Sequence, residues 1–342
     1  MSVVTVGLDL AKQVFQVHAV DEAGRVMIRR QLRRDAVEGF FRELPPCLVG
    51  MEACATAHHW ARRILAFGHR VRLIPPPRVK AYVQRGRKND ATDAAAIAEA
   101  VTRPQMAFVP VKGEDQQAVL MLHRTRDLLV RQRTMLINGF RAHLAEFGIV
   151  VAQGRKNVNA LIAGLDEQAL PELARTALRE LVGQIETCDS RIESLEKQIV
   201  SWHKTNVKSR KLATIPGIGP ITASVLAATV TDPTAFKTGR HLAAWLGLVP
   251  RQNSSGGKDR LGRITKTGDR SIRRLLVIGA TSVIRFARTK APGDAEWLKR
   301  MLDRKPVRLV TVALANKMAR IAWAVLTSGE DYRSSRTAAA VA

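Results

Sequence analysis

The sequence predicts an α/β N-terminal domain, a helical coiled-coil middle and a mainly α C-terminal domain. Three observations carry this. Short β-branched runs alternate with turn signals as far as Pro110. Apolar residues then recur at heptad spacing. Beyond Ala213, Gly- and Lys/Arg-rich loops separate further helical stretches. The expected boundaries are 1–110, 111–210 and 211–330, with a short Ala/Ser-rich tail, 331–342, expected to fray.

Taken in order, Val3 to Asp9 is a β-branched run ending in a carboxylate, and Val14 to Val20 alternates as a second strand. Arg25 to Leu32 makes a third, with Asp21-Glu22-Ala23-Gly24 as the turn between them. Cys47 to Met51 is a short apolar strand that ends at Glu52; His58 to Phe67 reads as helix, Val71 to Ile74 as strand, and Asp90 to Ala100 as an Ala-rich helix. Strands followed by strand–helix units imply a mixed sheet covered by helices. Glu114 to Phe147 is helical. From Leu178 the apolar residues Leu181, Ile185, Cys188, Ile192, Leu195, Ile199 and Trp202 follow in steps of three and four. These two stretches can pair within the chain or across chains, and Gly148 to Pro171 connects them.

The chain has 342 residues, 55 Lys plus Arg against 30 Asp plus Glu, and a formal charge of +25. Such an excess repels itself in a compact fold and points to a polyanionic partner. The apolar stretch Val307 to Leu326 carries Arg308, Lys317 and Arg320, so a core helix is expected rather than a membrane span, and nucleic acid is the expected polyanion. Aromatics at 5% argue against a module that reads single strands mainly by stacking. Cys47, Cys54 and Cys188 fit neither a disulfide framework nor a zinc site. The start, Met1 to Lys12, lacks a basic export signal, and a reducing cytoplasm is expected.

Four acids sit where an RNase H-like fold would gather them. Asp9 and Glu52 end strands, and Asp90 and Asp93 share one helix face. Carboxylates brought together repel and raise one another's pKa unless a cation neutralises them. Mg²⁺ suits an oxygen-only site, and two such ions about 3.5–4 Å apart can hold the attacking and leaving oxygens of a phosphodiester exchange. Any one of these acids alone reads as a surface acid. Their strand-end placement and the preceding basic loop, with Arg85, Arg87 and Lys88, favour a site.

Ile215 to Pro220 carries the Gly-x-Gly turn of a helix–hairpin–helix, where Gly217 and Gly219 let backbone N–H groups approach a phosphate. An ordinary turn between packed helices explains it equally well. Arg251 to Arg274 holds eight basic residues, Arg251, Lys258, Arg260, Arg263, Lys266, Arg270, Arg273 and Arg274, against two acids. Within it, Ser254-Ser255-Gly256-Gly257 exposes a hydroxyl that neighbouring cations can activate towards phosphorus. The alternative, serines that merely hydrogen-bond phosphate, stays open. His58, His59, His123, His143 and His241 have no ligand spacing.

These pieces together resemble the DEDD-type transposases of bacterial insertion sequences, a group of bridge-RNA-guided recombinases. The matching segments are Gly7 to Lys12, Gly50 to Ala53, Lys88 to Ala94, Ile215 to Gly219, and Ser254 to Gly268, in the family's order and over nearly the whole chain. The resemblance implies an N-terminal RuvC-like domain, a coiled-coil middle and a helical transposase domain. It implies that Asp9, Glu52, Asp90 and Asp93 bind Mg²⁺ and that the serine before Gly-Gly becomes covalently linked to DNA. Ser255, directly before Gly256, is chosen here, with Ser254 in reserve. It implies element ends and target DNA as substrates, a noncoding RNA as guide, and homodimers or homotetramers in which the serine of one subunit meets the carboxylates of another, in a bacterial cytoplasm. The competing readings are a Mg²⁺-dependent structure-selective nuclease of the Holliday-junction-resolvase kind, a non-enzymatic architectural protein, and an actin-like sugar kinase, which the charge disfavours.

Overall fold

Alternating Val and Ile make the opening residues strand-forming. In the computed structural model, which describes residues 2–83, 89–254, 260–289 and 295–333, strands β1 (Thr5–Asp9), β2 (Val14–Val20) and β3 (Val26–Arg33) form an antiparallel meander. Its second turn, between β2 and β3, is closed by Asp21, whose carboxylate accepts the N–H groups of Ala23 and Arg25 at 3.0 and 2.9 Å. There follow α1 (Val37–Glu43), β4 (Leu48–Glu52), α2 (Ala57–Leu65), β5 (Arg70–Ile74), α3 (Pro76–Val79) and α4 (Asp90–Thr102). The sheet order is β3-β2-β1-β4-β5, with β1, β4 and β5 parallel. This unit, residues 1–116, is mixed α/β around a central sheet.

Period two divides the sheet's two faces. Val6 and Leu8 of β1 and Val49 and Met51 of β4 join Phe15, Phe41, Trp60 and Ile64 in a core with α1 and α2. The intervening residues, Gly7 and Gly50 among them, face α4. α1 is an element that the sequence reading did not assign; its Val37, Phe40 and Phe41 are buried.

The second unit, residues 117–342, is predominantly helical. α5 (Glu114–Glu146) begins in the first unit and runs into it, followed by α6 (Arg155–Ala163), α7 (Glu172–Thr205), α8 (Val207–Leu212), α9 (Pro220–Thr229) and α10 (Gly239–Trp245). A two-stranded hairpin, β6 (Pro250–Gln252) and β7 (Leu261–Ile264), precedes α11 (Arg270–Thr289), α12 (Ala295–Arg304) and α13 (Val307–Ser328).

α5 and α7 pair within the chain. Arg126 meets Glu196, and Arg133, two turns further along, meets Asp189, two turns back, as only an antiparallel pair allows. Phe140, Leu144, Leu178 and Ile185 fill the seam. The connector that was expected between them contains α6, whose Val158 and Leu161 join the same core. α13 has the length and composition of a membrane-crossing helix. In the fold it supplies Val310, Ala315, Met318 and Ala322 to the core of the second unit, as its interrupting cations led one to expect.

Candidate active site

Asp9 and Glu52 end neighbouring parallel strands. The register pairs Gly7 with Gly50 and Leu8 with Met51, so the two acids come next on the same step and on the same sheet face. On that face lies α4. A Cβ on Gly7 would stand 2.1 Å from the carbonyl oxygen of Ala94 and 2.5 Å from the nitrogen of Ala98, and one on Gly50 would stand 2.8 Å from Cβ of Val101. Two strand glycines and an alanine-rich helix therefore let backbone approach backbone.

That approach brings the start of α4 to the strand ends. The helix begins where it does because of a reciprocal cap. Asn89 Oδ1 accepts the Thr92 N–H at 2.8 Å, and Thr92 Oγ1 accepts the Asn89 N–H at 3.1 Å. Asp90 and Asp93 fall in the first turn, where the helix dipole favours negative charge. All four acids thus meet at one end of the sheet. The electrostatics record it: burial, then Asp93, Asp90 and Glu52, push the Asp9 carboxyl up to about 6, against a backbone hydrogen bond from Leu10 that lowers it. None of the four forms an ion pair with a described residue.

An all-oxygen set with an unneutralised excess of negative charge fits a hard cation. Among the described residues, no three acidic, His or Cys side chains stand at ion-holding spacing. The carboxylates are near enough to repel and not drawn together to chelate. Asp90 is exposed and Asp93 half-exposed, so their rotamers are open to adjustment.

In the second unit, the Ile215 to Pro220 turn joins α8 to α9. Gly217 has φ +85°, and a Cβ there would press on Val283, Gly279 and Met318 at 2.8–2.9 Å, so this glycine serves close packing against α11. Gly219 is exposed at the N-cap of α9, with open space beside it. Both readings of the turn, packing and an open helix start, are thus present in different glycines.

The serine-bearing segment is bracketed by the β6–β7 hairpin. Asn253 N–H donates to the Arg260 carbonyl at 2.9 Å, and Arg260 N–H donates to Ser254 Oγ at 3.3 Å. Ser255 and Lys258 lie outside the described residues, as do Arg85, Arg87 and Lys88 of the first unit. Of the remaining basic positions, Arg251, Arg260, Arg263, Lys266 and Arg270 are exposed. Arg273 instead donates to the carbonyls of Leu246 and Thr267 at 2.9 and 2.7 Å, and Arg274 is ion-paired with Asp127. The loop after β7 docks on α10 through two glycines. With φ +72° at both, a Cβ on Gly247 would overlap Thr267, and one on Gly268 would lie 2.0 Å from the Trp245 oxygen. Lys266 between them adopts φ +57°, a conformation unusual for a side-chain-bearing residue.

Residues 209–293 match the family model described as Transposase IS116/IS110/IS902 family, and residues 6–149 match the DEDD transposase model of the IS110 type. A "Probable family 20 transposase" of Pseudomonas aeruginosa is 50% identical over 337 residues, 97% of this chain and 99% of that protein. The chain belongs to the IS116/IS110/IS902 transposase family. A transposase for insertion sequence element IS1328 of Yersinia enterocolitica is 40% identical to this transposase over 331 residues, 97% and 99% of the two chains. The "Pilin gene-inverting protein" of Moraxella lacunata is 30% identical over 129 residues, 37% of the transposase and 39% of that relative. All four carboxylates fall in the first matched span, and the serine pair and the described basic positions fall in the second.

Sequence reasoning missed several features of this arrangement. Gly7 and Gly50 each stand two residues before an acid, and that spacing was the available signal. The Asn89–Thr92 cap was equally legible. The β6–β7 hairpin was not, because its three- and four-residue strands are too short for a periodic pattern.

Proposed function

We propose that this insertion-sequence transposase cuts and rejoins DNA as a serine recombinase. Ser255 is the nucleophile, Asp9, Glu52, Asp90 and Asp93 form a Mg²⁺ centre on a RuvC-like domain, and a noncoding RNA of the same element supplies the guide. The observation that carries the reading is the convergence of the four acids at one sheet end, with Asp9 pushed up to about 6 by burial and by the other three.

Asp9, Glu52, Asp90 and Asp93 would hold the Mg²⁺, which when bound would supply Lewis-acid polarisation of the scissile phosphate. Ser255 Oγ attacks phosphorus. An Oγ–P bond forms, the P–O bond to the leaving strand breaks, and the departing oxygen takes the serine proton. The number of phosphoester bonds is unchanged, so a hydroxyl of another strand can reverse the step and rejoin. Arg251, Arg260, Arg263, Lys266 and Arg270 hold backbone phosphates along the hairpin, with Gly219 presenting the start of α9 to another. Arg85, Arg87, Lys88 and Lys258 are further cationic positions in the sequence proposed to meet phosphate. Arg273 and Arg274 act through the loop and helix that they tie down.

Two further observations support rejoining and assembly. A relative over part of the chain is a "Pilin gene-inverting protein", and inversion of a gene requires every cut strand to be rejoined. On α5, Met121, Leu128 and Met135 recur every seventh residue and are 65%, 56% and 67% exposed, which suits a homodimer or homotetramer formed through region 111–210. Region 211–330 then acts as the strand-joining domain. With sequence read by the guide RNA, the protein's part is to hold the backbone.

The test is a denaturant-resistant protein–DNA adduct. The transposase, Mg²⁺, element-end DNA and the RNA encoded beside its gene are mixed, with Ser255→Ala, Ser254→Ala and Asp9→Ala in parallel. The expected result is an adduct lost in Ser255→Ala and Asp9→Ala and kept in Ser254→Ala. DNA cleavage without an adduct, persisting in both serine variants, establishes a water-using nuclease instead.

A further inference from the structure

α13 is as apolar as a membrane span, yet only 39% of its most apolar window is buried. Its outer face lines a groove of about 1510 Å³ in the second unit, to which β7, α10 and Trp297 of α12 also contribute. Among the described residues the groove is lined by six cations, Arg240, Arg263, Lys266, Arg308, Lys317 and Arg320, and by no carboxylate. None of the six forms an ion pair with a described residue. Lys317 Nζ sits 4.7 Å from the centre of the Trp297 ring, which fixes one of these charges against a groove wall. Leu309, in the floor, is 54% exposed.

We infer that this groove holds an unpaired DNA strand. Its two chemistries call for one ligand that carries both phosphate charge and flat apolar surface. A duplex offers the cations its phosphates and leaves the apolar floor unfilled, because its base faces are stacked inside. An unpaired strand lays base faces on Leu309 and its neighbours while its backbone meets the cations. A second copy of the chain fits this groove less well, because a phosphate backbone sets a charge opposite each cation, whereas a chain with 55 Lys plus Arg against 30 Asp plus Glu does so sparsely; association through α5 is a separate matter. The choice of DNA over RNA rests on the reading above. Strand cutting by this transposase frees DNA ends, and β7, which contributes Arg263 to the groove, belongs to the hairpin that brackets the serine segment. The low overall aromatic content argues against stacking as the main source of affinity; here the floor gives base faces apolar cover and the cations supply most of the binding. This extends the basic surface inferred from sequence to Arg240, Arg308, Lys317 and Arg320, none of which lies in the Arg251 to Arg274 run.

The experiment is fluorescence anisotropy on the full chain in EDTA, where binding is read without cleavage. The probes are labelled strands of roughly 16 nucleotides: oligo-dT, the dT·dA duplex of equal length and oligo-U RNA. The Arg308→Glu/Arg320→Glu pair changes two exposed positions. It should weaken oligo-dT roughly tenfold or more and lower the dependence of log K on log salt by about 1.4, while changing duplex binding less than about threefold. Leu309→Ser should weaken oligo-dT about fivefold at unchanged charge. Arg191→Glu/Lys204→Glu on α7, with the same change of charge, should leave the dT preference intact. If the charge reversals lower the urea midpoint, Arg240→Gln/Arg308→Gln carries the test. Equal weakening of duplex and single strand, no effect of Leu309→Ser, or loss confined to oligo-U overturns the proposal. The adduct assay stays independent, because no carboxylate or serine is altered and no covalent step is read.

Discussion

The carboxylate centre and the basic hairpin are built by opposite means. The four acids ride on paired strands and a capped helix, and two glycines bring those backbones into contact. The basic surface rides on a short hairpin and a loop held by positive-φ glycines and by the side chain of Arg273. The difference suits the tasks proposed for them, a shared cation for the acids and a phosphate backbone for the loop. Groups that share an ion need mutual placement to a fraction of an ångström, which regular elements provide. Groups that follow a phosphate backbone need charge in the right region, which a loop provides.

Substitution of the glycines probes this contrast hardest. Gly7→Val drives a side chain into the backbone of α4, where neither strand nor helix can yield. It should cost the first unit about 3 kcal/mol or more in urea denaturation and abolish DNA cleavage. Gly268→Val meets a carbonyl at a similar distance from a loop that can shift, and about 2 kcal/mol is expected, with weakened DNA binding. Equal costs would remove the distinction between a rigid and an adaptable site.

Acid separates the two units by sign. His123 is buried against Ser224 at 3.0 Å, and burial, followed by Arg126, lowers its pKa to about 4. The folded state holds it neutral while the unfolded state takes up a proton near 6.5. Its contribution is therefore complete above pH 6.5 and falls by about 3 kcal/mol as pH drops to 4. Asp9 behaves oppositely. Its raised pKa makes the ion-free first unit more stable as pH falls through about 6, an effect that Asp9→Asn should erase. Hydrogen exchange read on each unit between pH 4 and pH 7 checks both slopes; a common slope would contradict them.

The smallest contrast lies within one loop. Arg273→Ala removes donors to two carbonyls and should cost about 1–2 kcal/mol in thermal or urea unfolding. Arg263→Ala should leave stability within about 0.5 kcal/mol and weaken DNA binding alone.

The legibility of the sequence follows the same division. β2 at Val14–Val20 and the start of α4 at Asp90 are where the pattern of side chains puts them, because burial on one sheet face enforces period two and the Asn89 cap marks the helix start. α1 escaped notice because seven residues give too few periods to reveal a buried face. The gathering of Asp9, Glu52, Asp90 and Asp93 could be guessed from strand ends. The close helix approach that enforces it, through Gly7 and Gly50, became visible only with the register. Basic residues in a run cannot be sorted by sequence into exposed and committed. Arg263 and Arg273 look alike until the carbonyls of Leu246 and Thr267 are found beside one of them. The cations of the groove lie on α10, β7, the loop after it and α13, and no local pattern joins them.

The central claim is that the four acids act as one cation centre. Calorimetric titration of Mg²⁺ near pH 6, in buffers of different ionisation enthalpy, tests it most directly. The account predicts saturable binding with proton release by the wild-type chain, as the cation displaces the proton that Asp9 retains near its midpoint. Asp9→Asn, Glu52→Gln, Asp90→Asn and Asp93→Asn should each weaken binding, and Asp9→Asn should also abolish proton release. Unchanged Mg²⁺ affinity in Asp9→Asn, or binding without proton release by the wild type, would contradict a shared centre.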